Sequence, residues 1–141
     1  MSRATVLAEA IKDGLNDAEF DPSFTAVRSY RPLWELKDLK TLRVMVIVPT
    51  IIQETISRIG NLDTISVDIA IMKQVDPSDN DAVDILMGLV EDVAEYFRST
   101  NFDNALWEKT LITIPYDISD LVESRVFYSV IRVQYRICWT K

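Results

Sequence analysis

The final run of the chain constrains the fold most. From Ser124 to Trp139 there is no glycine or proline. Phe127, Ser129, Ile131, Val133, Tyr135, Ile137 and Trp139 alternate with Val126, Tyr128, Val130, Arg132, Gln134, Arg136 and Cys138. Successive strand side chains point to opposite faces. The run therefore predicts one strand, the longest of the chain, with an apolar face and a face that turns polar toward its end. A sheet has to be built around it.

The remaining segments supply the partners. Residues 4–18 read as a helix, with Leu7, Ala10, Ile11, Gly14, Leu15 and Ala18 recurring at three and four. Phe24 to Tyr30 reads as a strand broken by Arg31-Pro32, with Leu33 to Leu36 extending it. Leu42 to Val48 alternates with both faces largely apolar near its end, which predicts a central strand closed by Pro49. Thr50 to Ile59 and Thr64 to Val75 pair as a hairpin about a turn at Gly60-Asn61-Leu62-Asp63, long enough to project beyond the body.

Asp76-Pro77-Ser78-Asp79 starts a helix that runs to about Arg98. Val83, Leu86, Met87, Val90, Val93, Ala94 and Phe97 form its apolar stripe, widened by Ile85, Leu89 and Tyr96. Leu106 to Ile114 is a further strand, ended by Pro115, and Tyr116 to Glu123 reads as a loop. This order lacks the strand–helix alternation of a parallel fold. The expected architecture is α+β, one domain over residues 1–141: a mostly antiparallel sheet with a long β-hairpin and two main helices packed on it.

Composition narrows the chemistry. The 141 residues include no histidine, which removes the Ser-His-Asp triad and the zinc-binding HExxH helix. A single cysteine, Cys138, allows no disulfide within the chain and no cysteine cluster. It reads as a small buried or half-buried hydrophobe in a strand. No glycine-rich phosphate loop, nucleophile elbow or calcium loop is present. Asp76, Asp79 and Asp81 are explained by helix capping. Asp63 and Asp68 invite a reading as paired carboxylates, but turn and edge-charge roles are commoner. We therefore assign no catalytic, cofactor or metal residue and expect no enzyme. No apolar run approaches the ~20 residues of a membrane span. The start, from Met1 to Thr5 and on to Glu9, Lys12 and Asp13, holds no secretory apolar region, so a reducing cytoplasm is the default compartment.

The net charge is −7, from 15 basic and 22 acidic residues, which argues against a general grip on nucleic acid. The charge is unevenly spread. Residues 124–141 hold Arg125, Arg132, Arg136 and Lys141 and no acid, whereas Asp76 to Glu95 holds seven acids and no base. A solvated helix face accounts for the acidic run. The alternative is complementarity between neighbouring copies, acidic helix against basic strand. Small size, a long hairpin, a long last strand with exposed arginines and no catalytic constellation together suit an assembly subunit.

Several stretches, taken in order, carry a resemblance to a known family. They are Phe24-Thr25-Ala26-Val27-Arg28-Ser29-Tyr30-Arg31-Pro32, Leu42-Arg43-Val44-Met45-Val46-Ile47-Val48-Pro49, and Ser57-Arg58. Asp68-Ile69-Ala70-Ile71-Met72-Lys73, Val83-Asp84-Ile85-Leu86-Met87-Gly88-Leu89-Val90-Glu91, Phe127-Tyr128-Ser129-Val130 and Tyr135-Arg136 follow. In order and spacing they resemble the bacteriophage tail terminator (tail completion) proteins of the head–tail connection. The ending Cys138-Trp139 departs from the plainer tail expected of that family.

The resemblance implies a virion protein assembled in the host cytoplasm as a ring of identical subunits, commonly six. Such a ring sits on the finished tail tube, stops its growth and meets the neck of the head, while DNA passes through the lumen without specific binding. It implies no active site. Another neck or head-closure ring is the nearest alternative; a small α+β carboxylate-using enzyme or ligand-binding domain is the alternative from another class. The residues expected at subunit or partner contacts are Arg58, Ile59, Asp63, Asp84, Glu91, Arg132 and Arg136.

Overall fold

Among the described residues, 2–30 and 35–140 of this computed structural model, five strands form one sheet. They are β1 (Ala26–Arg28), β2 (Arg43–Thr55), β3 (Gly60–Gln74), β4 (Ala105–Ile114) and β5 (Val126–Thr140), in the spatial order β1-β2-β3-β5-β4. β1 runs parallel to β2; every other neighbouring pair is antiparallel. The two longest strands, β3 and β5, lie side by side from Gly60↔Thr140 to Gln74↔Val126 without a register shift. Together with the helices this is an α+β fold.

Alternation along β3 and β5 sorts the core. Ile65, Val67, Ile69 and Ile71 share one face with Phe127, Ile131, Val133, Tyr135 and Ile137, and all are buried. α1 (Arg3–Asp17) covers this face with Leu7, Ile11 and Leu15, and α2 (Asn80–Phe97) with Leu86, Leu89, Val90, Val93 and Phe97. Ser2 caps α1 by accepting from the Thr5 N–H at 3.0 Å, and Asp79 caps α2 by accepting from the Ala82 N–H at 3.1 Å. The helices close on each other at Gly14, where an added Cβ would lie 2.7 Å from the Tyr96 hydroxyl. Arg28 donates to Glu9 at 2.6 Å and so ties β1 to α1. Arg28, and then Lys12, hold the Glu9 carboxyl below its ordinary range.

The opposite face is covered less. The row Met45–Ala70–Val130 is buried there, as are Leu39 and Val126. A 3-10 turn (Leu36–Lys40) packs on β3, and α3 (Ile118–Glu123) packs beside β5. Burial, with Asp68, Asp120 and Asp117 nearby, pushes the Tyr128 hydroxyl up.

Several expectations from sequence need correction. Pro49 does not close a strand. Leu42–Val48 and the segment after it are one strand, β2, carried past Pro49 by a register shift between Ile47 and Thr50. Pro49 lacks an N–H, and this interruption near a sheet edge tolerates it. The turn lies at residues 56–59 rather than 60–63, and Gly60 already begins β3. Leu36 is in the 3-10 turn, while Leu33 lies outside the described residues. The Tyr116–Glu123 segment contains α3. Ile85, placed at the border of the α2 stripe, is 58% exposed. Cys138 is exposed, because among the described residues the polar half of β5 has no layer over it.

Candidate functional site

The hairpin of β2 and β3 is not a free ribbon. β5 follows β3 to its first residue, so the arm has three strands at its end. On the outer side, β1 reaches only to Val46, with one further bond from the Ser29 N–H to the Val46 carbonyl at 3.1 Å. Among the described residues nothing pairs with the outer edge of β2 beyond that point, and every residue from Pro49 to Ile59 is exposed. Four of these are isoleucines: Ile51 (47%), Ile52 (50%), Ile56 (60%) and Ile59 (67%).

The turn is internally fixed. Gly60 accepts from the N–H groups of Ile56 and Ser57 at 3.0 and 3.2 Å, and its own N–H donates to the Ser57 hydroxyl at 2.8 Å. Arg58 and Ile59 thus stand on a preorganised loop, with Arg58 exposed and free of any ion pair among the described residues.

Asp63 is elsewhere. It is buried on the helix face and accepts from Arg3 Nε at 2.9 Å. The Arg3 guanidinium also stacks over Trp139, 3.9 Å from its ring centroid. This cluster anchors the start of α1 to the arm itself, where Asp63 pairs with Gln53 near the turn, so within the subunit Asp63 is a buried structural anchor. Asp68 lies on the other face, as a five-residue spacing along one strand requires. The two carboxylates do not pair.

Asp68 instead binds Arg132. Arg132 Nε and Nη2 donate to its two oxygens at 2.8 and 3.1 Å. The expectation of an outward, unpaired Arg132 is therefore corrected: its charge is met within the chain. Arg136, four residues on and on the same face, is exposed. Asp84 and Glu91 are exposed on α2, which packs on the opposite side of the sheet. Neither of these two acids meets Arg132 or Arg136 within one subunit.

The sequence did not single out the groove between α2 and β4, about 530 Å³ in volume. Ala94, Trp107, Leu111 and Ile112 supply its apolar lining and Glu91, Glu95, Arg98 and Lys109 its charges. Glu95 is taken by Arg98 at 2.9 Å. Glu91 and Lys109 have no ion pair among the described residues. Trp107 spends both of its donors locally, its N–H on Asn101 Oδ1 at 2.8 Å and its Nε1 on Thr110 Oγ1 at 2.9 Å. Among the described residues, no three His, Cys, Asp or Glu side chains gather as a metal site would need, and no helix is long and apolar enough to cross a membrane. Compared with known proteins, the chain matches no protein-family model and no curated protein.

Proposed function

We propose that this chain is a structural subunit of a bacteriophage head–tail connection, of the tail terminator type. Copies of it form a closed ring, six by the resemblance, on the head-proximal end of a tail tube. The ring ends tube growth and presents its free side to a neck or head-completion protein, in a virion assembled in the host cytoplasm. It is not an enzyme and uses no cofactor.

One observation carries the assembly reading: the arm exposes Ile51, Ile52, Ile56 and Ile59 next to an outer strand edge with no described partner. An edge with isoleucines in water is a liability to an isolated subunit, and natural sheets cover or charge such edges. A neighbouring copy covers it in a ring. The resemblance, spread over nearly the whole chain, makes the ring that of a tail terminator. The net charge of −7 suits a lumen through which a duplex must slide without sticking.

Light scattering on the purified chain, alone and with tail tubes, tests the reading. A ring-former runs well above 16.2 kDa, or becomes ring-shaped on tube ends in negative-stain images. A chain that stays monomeric at all concentrations and leaves tube ends bare would sink it.

A further inference from the structure

On the face turned away from α1 and α2, one half of the sheet is left without a layer among the described residues. A row crosses that half: Ile52 pairs with Thr64, Thr64 with Arg136, and Arg136 with Leu106. Cross-strand partners share a face. Ile52 and Leu106 are half-exposed, and Arg136 and Cys138 stand exposed between them on β5. A sheet face of this kind is ordinarily closed by a second layer. Arg132, four residues back on the same face, spends its charge on Asp68. Arg136 has no ion pair among the described residues.

On the other side of the molecule, Gly88 lies in the middle of the outward surface of α2. It is exposed, and an added Cβ would meet nothing within 4 Å. Nothing packed against it within the subunit therefore requires a glycine, and helix propensity disfavours one at such a position. Residues three and four positions away adjoin it on the helix surface, namely Asp84, Ile85, Glu91 and Asp92. All four are exposed, and the three acids make no ion pair among the described residues. The result is a notch of bare backbone with an isoleucine on one side and carboxylates around the rest.

From these two surfaces we infer that α2 of a neighbouring copy closes the uncovered half of the sheet, with Arg136 seated in the Gly88 notch. The inference rests on the ring reading and names a contact between its subunits. A second copy is the occupant because the charges are opposite. From Asn80 to Phe97, α2 holds no base, whereas the row it would cover is centred on an arginine. Glu54 on β2, and Glu108 beside Lys109 on β4, stand at the margins of the sheet, away from β5. An arginine suits the notch because its planar fork can meet two carboxylates at once while its stem lies on Ile85. With no Cβ at position 88, the guanidinium can come down between Asp84 and Asp92, four positions to either side. The two surfaces lie on opposite sides of the subunit, so the contact is head-to-tail and repeats until it closes.

The test uses the full chain, with folding checked by circular dichroism and assembled mass read by light scattering. Gly88→Gln fills the notch with a good helix former. At a dilution where both chains are monomeric, it is expected to raise the unfolding temperature. It is nevertheless expected to weaken association by about tenfold or more. Arg136→Glu is expected to weaken association in the same way. Adding Asp84→Lys and Asp92→Lys to Arg136→Glu reverses both sides of the contact and is expected to recover the assembled mass. If either single variant assembles like the unaltered chain, the docking is overturned and the ring reading stands. A folded triple variant that stays at the 16.2 kDa monomer has the same consequence. An unaltered chain that never assembles, with or without tubes, overturns both.

Discussion

Arg132 and Asp68 face each other across β5 and β3, joined by two hydrogen bonds of 2.8 and 3.1 Å. The bond to Asp68 holds the Arg132 guanidinium above its ordinary pKa, against a smaller opposing effect of burial. Bidentate pairing of this kind is geometrically specific. The Arg132 side chain is 36% exposed, so water and salt screen the pair. A double-mutant cycle with Arg132→Ala and Asp68→Ala, read by urea unfolding, is expected to give a coupling of about 0.5–1 kcal/mol. It should shrink in 1 M salt. Zero coupling at low salt would show that the pair contributes only shape.

Neighbouring positions of α2 should behave as opposites. Leu86 is 2% exposed under the helix, while Ile85 is 58% exposed beside it. Leu86→Ala is expected to cost about 2–5 kcal/mol of stability, the range for a buried leucine. Ile85→Ala should stay within about 0.5 kcal/mol, as surface changes do. Equal costs in denaturant titrations would mean that the helix is rotated from the orientation described.

The turn and the Arg3–Asp63 anchor beneath the arm should separate assembly from folding. Replacing Ile56, Arg58 and Ile59 by serine keeps Ser57 and Gly60, which make the turn's hydrogen bonds. Unfolding is expected to shift by no more than about 0.5 kcal/mol, while ring formation is lost. Arg3→Met acts the other way. It strips the buried Asp63 of its cation and is expected to destabilise the subunit by about 1–3 kcal/mol. A serine-substituted arm that still assembles would remove it from the interface.

Tyr135 links stability to alkaline pH. It is fully buried, its hydroxyl donates to the Thr100 carbonyl at 3.1 Å, and burial pushes its ionisation far up. A phenol whose folded pKa is raised supports the fold while the pH is below its unfolded value of about 10. That support is lost as the pH rises from there toward the folded value. The unaltered chain should therefore lose stability above about pH 10 more steeply than Tyr135→Phe. At neutral pH, Tyr135→Phe should cost about 0.5–1.5 kcal/mol, the worth of one hydrogen bond. Identical alkaline profiles would exclude Tyr135 as the titrating group.

Local periodicity made the main elements legible. Alternation in Ser124–Trp139 located β5 to within two residues, and the stripe Leu86, Val90, Val93 and Phe97 located the buried side of α2. Both follow from the backbone geometry of a single segment, which the segment's own residues report. What the segments could not report was who stands opposite. Pro49 looked terminal because its missing N–H would break a central ladder, but its partner strand skips it at a register shift. Asp63 sat among turn residues in sequence, yet Arg3, sixty positions away, holds it inside. Arg132 looked free until β3 placed Asp68 across from it. Trp107 and Ile51 share a row only because β3 and β5 lie between them. A residue's partners depend on register between distant strands, and that register emerges only when the whole sheet closes over α1 and α2.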